Sequence, residues 1–177
     1  PRIAAGEPIA TAALGSGESY RGLPPLAFDG ATLNGTAGVV PDGAIAGLAV
    51  LRAGTELVLV DLAGAGVSRK PLSSLDPTRP VAQLTFAGTP AQKLPADGDA
   101  LARRVLNGAA VLLAFEQVGG AARILELSRD YSLERKAFGR QIGGFQALKH
   151  KMADIYTRNE LARVPAYSGA WALSTDA

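Results

Sequence analysis

The spacing of hydrophobic and polar positions changes character close to residue 97. Before it, short β-rich runs, "LAVL" at 48–51, "ELVLVDL" at 56–62 and "VAQLTFAG" at 81–88, lie among the turn signals Asp29-Gly30, Asn34-Gly35 and Asp42-Gly43. Runs of this length between such pairs predict strands. They follow one another too closely for crossover helices, so an antiparallel barrel or sandwich is expected over residues 1–96. Beyond the change, the stretch from Asp99 to Lys136 runs 38 residues without a proline and is rich in Ala, Leu, Arg and Glu. It predicts one long helix with Asp99 as its N-cap. The middle of that helix is apolar on nearly every side, which calls for helical neighbours all round. Gly108, Gly119 and Gly120 interrupt it, and glycine inside a helix is most easily tolerated where another backbone comes close.

A second helix is predicted from about Phe145, with Phe145, Leu148, Met152 and Ile155 forming a seam at spacings of three and four. Pro165 is expected to end or kink it. Gly139, Gly143 and Gly144 read as turn residues between the helices. The result is an antiparallel helical hairpin over residues 97–177, with apolar faces left for further residues or other subunits to cover. The fold class is α+β: a β-barrel or sandwich domain, then long antiparallel helices of an incomplete four-helix bundle.

Composition then narrows the partners. A formal charge of +2 over 177 residues gives no broad cationic field, so nucleic acid is not expected as a partner. The chain has no cysteine, which removes disulfides and thiolate chemistry and makes the cytoplasm the default compartment. The longest uninterrupted apolar run is "AAVLLAF" at 109–115, so no membrane span is expected. His150 is the only histidine and has no second imidazole or thiolate near it, so a metal site is not expected. Neither end of the chain reads as a natural terminus, and a fragment is expected.

The stretch between the helices carries the chemistry. Residues 119–156 hold Tyr131, Arg135, Phe138-Gly139, Ile142-Gly143, Phe145-Gln146 and Met152-Ala153-Asp154 in that order. This ordered set resembles the signature of the acyl-CoA dehydrogenase family. The β half is similar more loosely. Glu7-Pro8 resembles the family's Thr-Glu-Pro segment, "LNGTAGVVPDGA" its Leu-Asn-Gly-x-Lys-x-Trp-Ile-Thr-Asn hairpin, and "LTFAGTPAQKLP" the strand leading into the helical domain.

The resemblance implies a middle β-domain followed by the first part of a C-terminal helical bundle. It further implies FAD as cofactor and α,β-dehydrogenation of an acyl-CoA thioester, in a homo- or hetero-oligomer with FAD at a subunit interface. In that scheme Arg135 faces the FAD pyrophosphate of a neighbouring subunit, while Phe138 and Gln146 pack against or hydrogen-bond its adenosine end. A guanidinium suits phosphate because it presents a rigid fork of donors. The same arginine also sits where the macrodipole of the long helix favours a cation.

The sequence departs from the family at the flavin ring. Gly6 stands where the Thr-Glu-Pro segment offers a hydroxyl, and Val39, Val40 and Pro41 stand at the Trp-Ile-Thr positions. No catalytic base is assigned. Glu116 is weighed for that role, and a hydrogen-bonding place within the bundle is the preferred reading. The alternatives are a non-catalytic partner subunit of a heteromeric acyl-CoA dehydrogenase, another flavoenzyme such as an oxidase or monooxygenase, or a structural interaction protein.

Overall fold

A computed structural model describes residues 3–15 and 24–175. The chain divides into two compact units, Pro1–Arg104 and Val105–Ala177. The first holds strands β1 (Ala10–Ala13), β2 (Ala27–Phe28), β3 (Thr32–Pro41), β4 (Leu48–Ala53), β5 (Glu56–Asp61), β6 (Val67–Leu72) and β7 (Val81–Lys93). One sheet runs β1-β4-β5 onto the end of β7; the other sets β3 and β6 on either side of β7, with β2 beyond β3. Strand β7 therefore serves both sheets, and the described residues form a sandwich with no closed barrel among them. Most pairs are antiparallel as expected, but β1 pairs with β4 in parallel, so the assembly is mixed. The long connection between β1 and β4 allows this, since a parallel pair needs a crossover rather than a tight turn.

Alternation explains the core. Ala49, Leu51 and Ala53 of β4 meet Val58 and Val60 of β5, Leu33 and Val40 of β3, and Leu84 and Phe86 of β7. The inward phase slips twice where β3 pairs β7. Pairs Gly35↔Phe86 and Leu33↔Thr89 leave one extra residue on β7, and pairs Ala37↔Leu84 and Val40↔Ala82 leave one extra on β3. These are bulges, each with an unpaired residue that turns the following side chains to the other face. Asn34-Gly35 is consequently not the turn that its sequence suggests. It lies inside β3, where Asn34 Oδ1 accepts a hydrogen bond from Gly88 N at 2.7 Å and pins the first bulge. Asp29-Gly30 and Asp42-Gly43 do sit at strand ends. Arg69 of β6 replaces a salt bridge with carbonyls: its Nη1 donates to Ala44 O at 3.1 Å and Ala46 O at 2.8 Å, and its Nη2 to Leu62 O at 2.7 Å.

Asp29 closes the β2–β3 turn by accepting hydrogen bonds from Thr32 N at 2.7 Å, Ala31 N at 2.9 Å and the Thr32 hydroxyl at 2.7 Å. These donors, the Thr32 amide foremost, lower its pKa from 3.8 to about 2. A depressed folded-state pKa contributes stability that is present above the unfolded value of 3.8 and is lost as pH falls toward about 2. Carboxyl titration followed by NMR should place the Asp29 midpoint well below 3.8, at about 2. In Asp29→Asn the stability lost by the wild type between those two pH values should shrink.

Helix α1 (Gly98–Glu134) begins one residue earlier than Asp99. The N-cap is Asp97, whose Oδ1 accepts from Ala100 N at 3.0 Å. Asp99 instead pairs with Arg52 at 2.7 Å. Ala102 of the first turns is buried with Leu14 and Leu57.

In the second unit, α1 continues and is followed after a short hairpin by α2 (Gln146–Thr175). Val111 and Phe115 meet Gly169 and Tyr167 near the end of α2, while Leu125 and Arg129 lie across a groove from Tyr156 and Asn159 nearer its start. The helices are therefore antiparallel, with Phe115 and Tyr167 edge to face at 5.0 Å. Three expectations need correction. Gly108, Gly119 and Gly120 meet nothing within 4 Å; the close approach is at Gly169, on the face toward α1. Of the two outcomes expected at Pro165, ending the helix does not occur, since α2 runs ten residues past it; the missing N–H leaves the Leu161 carbonyl without its helical donor, on a residue that is itself exposed. Finally, α1 is long and apolar enough by length and composition to cross a bilayer. Counting uninterrupted runs hid this, because Glu116-Gln117 breaks the apolar stretch. The same composition is what a bundle helix with neighbours on every side requires, and Leu112, Ile124, Leu161, Val164 and Trp171 are all exposed.

Candidate functional site

The segment from Arg135 to Gln146 is built, not slack. The last turn of α1 closes when Arg135 N donates to Tyr131 O at 2.9 Å, and Arg135 O then accepts from Ile142 N at 2.8 Å. Between these residues β8 (Lys136–Ala137) pairs with β9 (Arg140–Gln141) in a two-residue hairpin, Lys136 opposite Gln141 and Ala137 opposite Arg140. The hairpin tip is Phe138-Gly139, with φ of 53° and 77°. Positive φ at both central positions is the turn that matches strand twist, and glycine fills the second place without strain. Phe138 does not: a bulky side chain in the left-handed region is a backbone outlier, costing on the order of 1–2 kcal/mol. It is also 94% exposed, so burial does not explain its presence.

A short 3-10 turn, Ile142–Gly144, leads into α2. Gly143 passes so close to the end of α1 that an added Cβ would lie 2.9 Å from Ser132 Oγ and 3.0 Å from Ser132 O. Ser132 is buried, and its hydroxyl donates to Arg129 O at 2.7 Å. Phe145 then opens α2: its N donates to Ile142 O at 3.0 Å and its O accepts from Leu148 N at 3.1 Å.

The three residues singled out from sequence fall within this one segment. Arg135 is exposed at the C-terminus of α1, and among the described residues no carboxylate pairs with it. Phe138 is the hairpin tip. Gln146 is the first residue of α2, and its Nε2 lies 2.9 Å from His150 Nε2, which gives that histidine a place on the exposed helix surface. From 135 to 153 the chain has five Lys or Arg and no Asp or Glu. The arrangement offers an exposed guanidinium, an open aromatic face and an amide in a locally cationic setting, which suits an anionic ligand carrying a planar ring.

Sequence reasoning missed two contributors. Arg140 places its guanidinium carbon 4.2 Å from the centre of the Phe145 ring, and Phe138 meets the same ring edge to face at 6.1 Å and 87°. The signal was the pairing of Phe138-Gly139 with Arg140 and Phe145, whose meeting depends on the hairpin register.

At the positions of the β unit where the family resemblance expects hydroxyls, Val40 is fully buried and the Pro41 carbonyl accepts the Thr11 hydroxyl at 2.6 Å. Val39 lies at the second bulge, beside Val40. Glu116 lies on the exposed surface of α1.

Comparison with known proteins fits this geometry. Residues 96–177 match the acyl-CoA dehydrogenase C-terminal domain. The chain is 36% identical over 172 residues to acyl-CoA dehydrogenase FadE34 of Mycobacterium tuberculosis, covering 93% of this chain and 23% of that protein. Among solved structures it is similar to the Tcur3481-Tcur3483 steroid ACAD, with a TM-score of 0.78 and 28% identity over 95% of this chain and 48% of that one. It is also similar to an FAD-dependent dehydrogenase, with a TM-score of 0.84 and 25% identity over 100% of this chain and 54% of that one. The chain thus spans about a quarter of the length of the curated relative and about half of the solved ones. With its sandwich, its helical hairpin and the ordered motif between the helices, the chain belongs to the acyl-CoA dehydrogenase family.

Proposed function

We propose that this chain is part of an acyl-CoA dehydrogenase-like oxidoreductase, and that its hairpin segment grips the dinucleotide end of an FAD held at a subunit interface. The observation that carries this is Phe138: an exposed aromatic ring kept at φ 53° three residues after Arg135, which pairs with no carboxylate among the described residues. Strain of this kind persists where a ligand is to be met. Arg135 would hold the diphosphate oxygens, Phe138 would stack on or beside the adenosine, and Gln146 would donate to it from the first turn of α2. FAD, when bound, supplies the hydride acceptor for α,β-oxidation of an acyl-CoA thioester. This chain's own contribution is to bind and orient: the guanidinium fork would fix the diphosphate, and the backbone bonds that close the hairpin reduce the ordering that binding must supply. No residue of this chain is assigned the proton-abstracting role.

A second reading is favoured by the β unit. Gly6, Val39, Val40 and Pro41 supply no hydroxyl to a flavin ring, and Pro41 brings no N–H. The residues present fit the dinucleotide end and do not fit the ring contacts of the family resemblance. That supports a heteromer in which this chain lends its hairpin to a partner's flavin while holding none in its own β unit.

The experiment is a visible absorption spectrum of the full protein purified with its natural partner. A flavin spectrum that bleaches when acyl-CoA is added is the expected result. A colourless protein in every assembly would overturn the redox reading and leave the interaction-protein reading in its place.

A further inference from the structure

Resting on the dinucleotide reading above, we infer that Phe145 is a positioning residue whose single ring holds Arg140 as a second guanidinium for the diphosphate and Phe138 as the stacking platform, so that the hairpin acts as one preformed grip.

Phe145 is the only described residue that touches both groups through its ring. Arg140 stacks on it at 4.2 Å and Phe138 stands edge-on at 6.1 Å. Its own backbone is fixed from both sides, by Ile142 O before it and by the amides of Leu148 and Lys149 after it. The ring is therefore anchored to the start of a 30-residue helix, and whatever rests on it inherits that rigidity. A phenylalanine that served only to fill space would be covered by aliphatic groups. Here two neighbours, Phe138 and Arg140, themselves project into solvent.

Arg140 has no carboxylate partner among the described residues, and its segment carries none to compete for it. A guanidinium held over an aromatic face gives no N–H to a carboxylate and keeps the donors that point away from the ring free. Stacking thus removes the entropy of a long side chain while leaving its hydrogen-bonding edge available. With Arg135 at one end of the hairpin and Arg140 at the other, a ligand with two linked phosphates meets two cations, whereas a mononucleotide has only one phosphate to offer. Phe138 gains equally, because the edge-to-face contact opposes its relaxation out of the left-handed region.

The test is equilibrium FAD binding by the reconstituted full assembly, followed by flavin fluorescence at several ionic strengths. Phe145→Leu keeps apolar volume but removes the π face, and should weaken FAD binding about tenfold, as should Arg140→Ala. The double variant should be no weaker than either single one, since the two act as a unit. Phe145→Tyr should bind as the wild type does, and Arg140→Lys, charged but without a stacking plane, should recover only part of the loss. Arg140→Ala should also flatten the salt dependence, whereas a residue with only a packing role would leave that slope unchanged. Wild-type affinity and slope in both Phe145→Leu and Arg140→Ala, or strict additivity in the double variant, would overturn the inference. A wild-type assembly that binds no FAD would overturn the parent reading along with it. If Phe145→Leu fails to fold, Arg140→Ala and Arg140→Lys still decide the matter.

Discussion

Replacing Arg135 with alanine should weaken FAD binding by the assembled protein about a hundredfold while leaving the fold intact. A two-pronged, charge-assisted contact to phosphate is worth about 3 kcal/mol, which is that factor in a dissociation constant. The fold is spared because Arg135 contributes to it through its backbone: Arg135 N bonds Tyr131 O and Arg135 O bonds Ile142 N, and alanine keeps both. Its side chain has no carboxylate partner among the described residues that removal would orphan. Lysine should give an intermediate loss, since it restores charge without the fork. Raising ionic strength should narrow the gap between wild type and variant. Flavin retention through gel filtration, read beside a thermal melt of the same sample, separates loss of cofactor from loss of fold.

The second large effect concerns the β unit. Gly66, just before β6, has a φ of 78°, and an added Cβ would fall within contact of the Ala87 carbonyl and 2.9 Å from Thr89 Oγ1. Gly66 O also accepts from Ala87 N at 2.9 Å, so the two backbones cannot separate without losing that bond. The nearest obstacle is the Ala87 backbone carbonyl, not the far end of a flexible side chain, and Thr89 beside it is fully buried. Gly66→Ala should therefore cost about 3 kcal/mol, from left-handed strain together with overpacking. For a unit of this size the unfolding midpoint should drop on the order of 15 °C. Gly54→Ala is the control: its φ of 63° imposes strain, but its Cβ would meet nothing within 4 Å, so a clearly smaller drop is expected.

Much of the architecture is legible in the chain because period and turn chemistry are local properties. The short β-rich runs at 48–51, 56–62 and 81–88 predict strands where β4, β5 and β7 lie, and the proline-free stretch from Asp99 predicts α1 to within two residues at either end. What stayed hidden depends on contacts between distant segments. Asn34-Gly35 reads as a turn until Gly88, 54 residues away, supplies the amide that Asn34 accepts. The parallel pairing of β1 with β4 is a matter of topology that no local pattern encodes. Asp97 and Asp99 are both plausible caps in the string, and Arg52 decides between them by drawing Asp99 into an ion pair. The candidate site shows the same division. Arg135, Phe138 and Gln146 stand out through an ordered motif, whereas the stacking of Arg140 on Phe145 needs the hairpin register before it can be seen.

The central claim concerns a distance. In a density map of the complete protein loaded with FAD, the account predicts Arg135 Nη atoms within hydrogen-bonding reach of the diphosphate of a flavin seated on another subunit, with Phe138 against its adenosine. A map in which FAD is bound and the 135–146 hairpin faces open solvent, away from any diphosphate, would contradict it.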